Sequence, residues 1–206
     1  SMLSLVTKRP VKIVLTKEEQ LMSYEVRLGS TITAKIGMDK EGYVRAVQGD
    51  WLVDTGAIAD SVQGQVGVGL GEAQLVLAKC PNWFMDSHIA VTNKQAAGIV
   101  RGYGGQELNS CLERLMCTAM KEGNFDPLDV FKKNYIAPGD RFIWRDGRWW
   151  QGRSSLFFPE AVQNAADRFG WAEKWKGWNV PTSVHGNKAR GIGMGVIGNA
   201  DINEDN

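Results

Sequence analysis

Three glycine clusters are the first candidates for chemistry in this chain: Gly67-Val68-Gly69-Leu70-Gly71, Gly102-Tyr103-Gly104-Gly105 and Gly191-Ile192-Gly193-Met194-Gly195. None completes a dinucleotide fingerprint, because none follows a clear strand, opens a helix and leaves a downstream acid within a βαβ unit. The second cluster does open a helical pattern. Main-chain amides at Gly102, Gly104 and Gly105, free of side chains, suit a bound anion or an electronegative ligand, and Arg101 and Tyr103 flank the approach. The same glycines also serve a plain tight turn.

Other chemistry-bearing residues are sparse. His88 and His185 lie far apart in the chain with no ligand-spaced partner, so no metal held by side chains is expected. Cys80, Cys111 and Cys117 leave one thiol over in any disulfide scheme and include no Cys-x-x-Cys pair, which points to buried thiols and a reducing, cytoplasmic setting. Eight tryptophans, among them Trp149-Trp150, Trp171, Trp175 and Trp178, suit either a stacking platform or a core or subunit contact, and the second is the commoner use. There is no Gly-x-Ser-x-Gly elbow, no Walker sequence and no close carboxylate pair with an evident acid–base role.

The elements that must position these residues can be read from periodicity. Val11 to Leu15 reads as a short strand, and Thr16 with Glu19 three residues on reads as a helix start. Alternation through Tyr24, Val26 and Leu28, then Ile32, Ala34 and Ile36, the Asp39–Gly42 turn and Tyr43–Val47 predict an antiparallel meander. The stretch from Gly64 to Gly71 supports neither helix nor strand. From Leu108 the pattern is helical, with Leu108, Cys111, Leu112, Leu115 and Ala119 on one face, Asn109, Glu113, Arg114 and Lys121 opposite, and Gly123 at the end. Asp126-Pro127 opens a second helix towards Tyr135, and a third spans roughly 159–171, burying Val162, Ala165, Ala166 and Phe169. Asp146-Gly147 reads as a hairpin turn, and Gly191 to Ile197 as a last strand. Strands first and helices later give an α+β class, an antiparallel sheet packed with several helices, in one uncut unit.

With 206 residues, 43% apolar and 23% charged, the chain can build a substantial core. Its 24 basic and 23 acidic side chains give a formal net charge of +1 without long blocks of either sign, which disfavours nucleic acid as a partner. No run approaches the ~20 apolar residues of a membrane span.

The segment Val91-Thr92-Asn93-Lys94-Gln95-Ala96-Ala97-Gly98-Ile99-Val100-Arg101-Gly102-Tyr103-Gly104-Gly105-Gln106-Glu107 resembles the molybdenum-site signature of the xanthine dehydrogenase/aldehyde oxidase family. That signature is roughly Thr-Asn-x-Pro-Pro-x-Gly-x-[Phe/Tyr]-Arg-Gly-[Phe/Tyr]-Gly-x-Pro-Gln. Arg9-Pro10-Val11-Lys12 through Glu19, Asp126-Pro127-Leu128 through Asn134, the stretch 161–171, and Arg190-Gly191-Ile192-Gly193 resemble further family segments in the same order. Two departures stand out: the paired prolines are Gln95-Ala96, and the terminal Pro-Gln is Gln106-Glu107.

The resemblance implies part of the molybdenum-cofactor-binding region of a large subunit. That subunit would bind molybdopterin and hydroxylate an aldehyde, aromatic or N-heterocyclic substrate with water-derived oxygen. Electrons would pass to iron–sulfur clusters and, in some relatives, flavin (FAD). By position, Arg101 and Gly102 would bind the cofactor and Tyr103 would stack against substrate. Counting back from Arg101, Gly69 stands where purine-oxidising relatives carry a substrate-binding arginine, so a xanthine-like substrate is disfavoured. The family's catalytic glutamate and its upstream glycine-rich cofactor loop have no counterpart here, so residues 1–206 are expected to be a fragment with no catalytic residue of its own, inactive alone and partnered by the rest of the subunit and by iron–sulfur and flavin modules. The alternative is a small tryptophan-rich binding or interface module without catalysis.

Overall fold

The computed structural model describes residues 2–59, 61–143, 149–151 and 157–197. Helices α1 (Met2–Thr7) and α2 (Lys17–Ser23) precede strands β1 (Gly29–Met38) and β2 (Val44–Asp54). Helix α3 (Val62–Val76) leads to β3 (Asn82–Ala90), followed by helices α4 (Gly105–Glu122) and α5 (Pro127–Asn134). Then come β4 (Arg141–Ile143) and β5 (Trp149–Gln151), α6 (Phe158–Phe169), α7 (Trp171–Lys174), β6 (Ser183–His185) and β7 (Lys188–Arg190).

The class is α+β, but the main sheet is mixed where an antiparallel one was predicted. β1 runs antiparallel to β2, while β3 pairs with β2 in parallel, Trp51 opposite Ser87. A parallel neighbour needs a long crossover. Here the crossover includes α3, the glycine-rich stretch that supported neither helix nor strand. Two small antiparallel pairs, β4 with β5 and β6 with β7, complete the strands described. The expected Asp146-Gly147 turn lies outside the described residues.

Alternate residues of β2, Val47, Trp51 and Val53, are buried against Leu108, Leu112, Met116 and Met120 of α4, with Val130 and Phe131 of α5 closing the core. Each such burial contributes about 1.5–3 kcal/mol. The helix boundaries follow local chemistry. Thr16 and Glu19 form a complete capping box, and Asp126 accepts from the Leu128 amide while Pro127 begins α5.

Several expectations are corrected. Residues 11–15 form no strand and Ile13 and Val14 are exposed, because among the described residues no strand offers them a ladder. Asn109, expected on the outer face of α4, is buried. Of the apolar positions predicted to be buried in α6, only Ala166 is, and Phe169 is exposed. Gly123 is the C-cap of α4, yet the left-handed residue is Asn124 (φ 54°), and Gly123 instead makes room for the Phe125 ring. Residues 191–197 form no strand: the Val196 amide donates to Glu113 Oε1 (2.8 Å), and Tyr135 Oη donates to the Val196 carbonyl (3.1 Å). Trp171, Trp175 and Trp178 form a cluster, with Trp171 donating to the Asp126 carboxylate and Trp178 to the Phe125 carbonyl.

Candidate functional site: the loop at the head of α4

The loop from residue 91 to 105 is built from both sides. Asp54, at the end of β2, accepts from Thr92 Oγ1 at 2.6 Å and from Lys94 Nζ at 2.5 Å. Those bonds, with the Gly56 amide, pull the Asp54 carboxyl down to about 2, the Lys94 bond contributing most. Further along, the Val26 amide donates to the Ala96 carbonyl and the Gly98 amide returns to the Val26 carbonyl, both at 3.0 Å. Glu25 Oε2 accepts from the Ile99 amide at 3.1 Å.

Gln95, where the resembled motif has proline, donates its side-chain amide to the carbonyls of Leu21 (2.8 Å) and Tyr24 (2.5 Å). Hydrogen bonding to the N-terminal arm thus constrains a loop that the motif would stiffen with ring geometry.

Beyond Arg101 three consecutive residues are left-handed, Gly102 (φ 101°), Tyr103 (φ 45°) and Gly104 (φ 93°). This run turns the chain sharply into α4, which has no side-chain cap. Within it the Tyr103 amide bonds the Val100 carbonyl and the Gly105 amide bonds the Gly102 carbonyl at 2.7 Å. The amides of Arg101, Gly102 and Gly104 have no partner among the described residues.

The three residues predicted for the site are therefore adjacent, though not equivalent. Arg101 is exposed, and its carbonyl accepts from Arg27 Nη2 at 2.7 Å. Gly102 is half-buried, in a conformation that glycine adopts without strain. Tyr103 is half-buried, its hydroxyl 3.1 Å from where a Cβ on Gly64 of α3 would lie.

Gly69 is not aimed at open space. A Cβ there would stand 2.6 Å from the Gly104 carbonyl oxygen and 3.0 Å from Trp51 Cη2, so α3 lies directly on the turn that starts α4.

Chemically, main-chain amides without a protein partner beside the head of a helix are donors suited to an anionic group, and they add no titratable side chain. That fits the phosphate-bearing, electronegative periphery of a pterin cofactor. Residues 1–135 match the family described as the molybdopterin cofactor-binding domain. The chain belongs to that family.

Its relatives agree. The chain is 24% identical over 185 residues to the xanthine dehydrogenase molybdenum-binding subunit of Escherichia coli O157:H7, covering 90% of this chain and 24% of that one. It is 32% identical over 132 residues to the nicotinate dehydrogenase large molybdopterin subunit of Eubacterium barkeri, covering 60% and 29%. Among solved structures it resembles the aldehyde oxidoreductase from Desulfovibrio gigas, with a TM-score of 0.65 and 24% identity over 75% of this chain and 16% of that chain. It also resembles quinoline 2-oxidoreductase from Pseudomonas putida 86, with a TM-score of 0.66 and 21% identity over 83% and 22%. The chain spans about a quarter of the length of the curated xanthine dehydrogenase subunits it matches.

Three residues of the site were missed by sequence reasoning, Arg27, Glu25 and Glu72, while Glu107 was read only as a departure from the motif. Arg27 Nη1 pairs with Glu107 Oε1 at 3.1 Å, so the acid that replaces the motif's final glutamine has its own counter-charge. Glu72 is buried in α3 beneath Gly105, and burial first, then the charge of Glu107, pushes its carboxyl up to about 7. A signal existed, since Glu72 is the one charged residue between Asp60 and Lys79.

Among the described residues no group of three or more His, Cys, Asp or Glu side chains converges as metal ligands, and no helix is long and apolar enough to cross a membrane. All three cysteines are free, with desolvation pushing their thiols up, away from the reactive thiolate.

Proposed function

We propose that residues 1–206 are a fragment of the large subunit of a molybdenum hydroxylase, and that the 101–105 loop is where this part of the subunit meets molybdopterin. The observation that carries this reading is the run of unpaired amides at Arg101, Gly102 and Gly104, set in the family's own motif. When bound, the cofactor supplies the two-electron chemistry that inserts water-derived oxygen into an aldehyde, aromatic or N-heterocyclic carbon.

This chain contributes position and polarity. The Arg101 and Gly102 amides donate to electronegative atoms of the cofactor, preorganised by the left-handed run at 102–104. Tyr103 presents the free part of its ring to a flat substrate while its hydroxyl end rests by α3. The proton-abstracting base, the remaining cofactor contacts, and the iron–sulfur and flavin partners belong to other parts of the complete enzyme, which we place in the cytoplasm. The metal is held through the pterin and not by side chains of this chain, and the fragment alone is inactive.

The test uses the complete enzyme. Arg101→Pro, which removes the main-chain amide, and Gly102→Val should lower molybdenum and pterin content per subunit, and Tyr103→Ala should raise KM for an aromatic substrate while leaving metal content intact. Full cofactor content in both loop variants overturns the site, and unchanged kinetics in Tyr103→Ala overturns the stacking role. The alternative of a tryptophan binding module has less support, because the indole nitrogens of Trp171 and Trp178 are committed to Asp126 and to the Phe125 carbonyl.

A further inference from the structure

Residues 25–27 lie along the 91–105 loop and hold it at successive points. The Glu25 carboxylate accepts from the Ile99 amide at 3.1 Å, and the Val26 backbone bonds Ala96 and Gly98. Arg27 reaches further. Its Nη2 donates to the Arg101 carbonyl at 2.7 Å and its Nη1 to Glu107 Oε1 at 3.1 Å. One guanidinium therefore touches the chain on both sides of the left-handed run at 102–104.

The two contacts differ in kind. Glu107 lies in the first turn of α4 with its side chain only 7% exposed, so its carboxylate is a fixed anchor, and Arg27 is its counter-charge. The planar fork of arginine holds two acceptors in a set geometry, which the point charge of an ammonium does not. With one prong on Glu107, the other is aimed at Arg101.

The Arg101 carbonyl shares a peptide plane with the Gly102 amide. The described chain has no cis peptide bond, and in a trans peptide the C=O and N–H point in opposite directions. Pinning the oxygen therefore aims the hydrogen. Glycine populates both signs of φ readily, so the 101–102 peptide has little of its own to hold it in one orientation. A cation on the carbonyl oxygen also polarises the peptide and strengthens its N–H as a donor. The Gly102 amide has no partner among the described residues, so the aimed donor is available to a ligand.

We propose that Arg27 is a positioning residue for the candidate site: anchored on Glu107, it pins the Arg101 carbonyl and so directs the Gly102 N–H at an electronegative ligand atom. Its bearing on molybdopterin rests on the reading above, whereas the pinned peptide does not. Glu107 stands where the resembled motif ends in glutamine, and either side chain offers the oxygen that Arg27 needs.

The test uses the complete enzyme and three variants. Arg27→Met keeps most of the aliphatic stem and removes the donors, Glu107→Gln keeps an acceptor oxygen, and the third combines the two. The combined variant avoids the buried, uncompensated carboxylate that Arg27→Met alone leaves behind, so it decides if Arg27→Met does not fold. Molybdenum and pterin per subunit should fall roughly tenfold in Arg27→Met and in the combined variant, the effect of losing one hydrogen bond from a charged donor, and stay within about twofold of the parent in Glu107→Gln. In cofactor-free protein, hydrogen exchange in the 99–107 peptide, which carries the Tyr103 and Gly105 turn bonds, should quicken roughly tenfold in the combined variant while residues 108–120 keep the parent rate. Unchanged exchange in that peptide, or a cofactor loss in Glu107→Gln as deep as in Arg27→Met, overturns the proposal. Cofactor loss in Gly102→Val but not in the combined variant also overturns it and leaves the site reading intact. Quickened exchange in the combined variant with full cofactor content in Gly102→Val refutes the site reading and leaves only the pinned peptide standing.

Discussion

The Glu72 carboxylate fills the space that a side chain on Gly105 would need. A methyl group at 105 must push against a buried acid in α3 that packs directly on the start of α4. Gly105→Ala should therefore cost about 1–3 kcal/mol, although alanine has the better helix propensity by about 1 kcal/mol. In a Glu72→Ala background the same change should cost much less. Urea unfolding of the four chains of this double-mutant cycle checks the coupling, and additive losses would mean that the two positions do not meet.

Gln95 replaces a proline ring by two hydrogen bonds to the N-terminal arm. Gln95→Ala should free the segment around Leu21 to Tyr24 while the sheet and α4 stay protected. Hydrogen exchange resolved by peptide checks this, with faster exchange confined to residues 17–25 and the adjoining loop. Uniform loosening of the whole chain would count against a local tether.

Asp54 ties Thr92 and Lys94 to the end of β2, and these partners hold its carboxyl down to about 2. A lowered folded value means that the stabilisation is present above the ordinary aspartate range and is lost as pH falls through about 2. Between pH 4 and pH 2 the Asp54→Asn variant should show a weaker fall in melting temperature than the parent chain. Parallel curves in thermal melts across that window would remove Asp54 from the account.

Asn134, the last residue of the Lys132-Lys133-Asn134 segment, is buried and accepts from the Val44 amide while donating to the carbonyls of Gly42 and Val130. It joins the β1–β2 turn to α5. Asn134→Ala orphans a buried amide, at about 1–3 kcal/mol. Asn134→Asp keeps the acceptor for Val44 but loses the donors, so it should also destabilise. Chemical denaturation gives the measure, and a neutral alanine variant would show that water replaces the side chain without loss.

Local chemistry makes some elements readable in the sequence itself. Thr16 with Glu19, Asp126 with Pro127, and the Leu108–Leu112 spacing each carry their own hydrogen bond or apolar face. What stayed hidden depends on distant partners. Val62–Val76 is helical because small residues let it lie on Gly104 and Trp51, an advantage that no propensity scale contains. The parallel pairing of β3 follows from that helix. Residues 11–15 have the composition of a strand without a ladder to join. In the candidate site the Arg101-Gly102-Tyr103 stretch was legible as a motif, whereas the Arg27–Glu107 pair joins residues 80 positions apart and the burial of Glu72 is a property of packing alone.

Gly69 gives the sharpest test of that packing. A Cβ added there would stand 2.6 Å from the Gly104 carbonyl oxygen, 2.9 Å from the Gly104 carbonyl carbon and 3.0 Å from the Trp51 ring. Two of these atoms are backbone and the third belongs to a fully buried indole, so none can swing aside as a flexible side chain would. Gly69→Ala should lose about 1–3 kcal/mol despite its better helix propensity. Gly69→Arg should lose more and raise amide exchange at Gly104 and Gly105. If Gly69→Arg is as stable as the parent chain and gains affinity for a purine, the helix must rotate to present position 69 to the site, and the contact between α3 and the loop described here would be wrong.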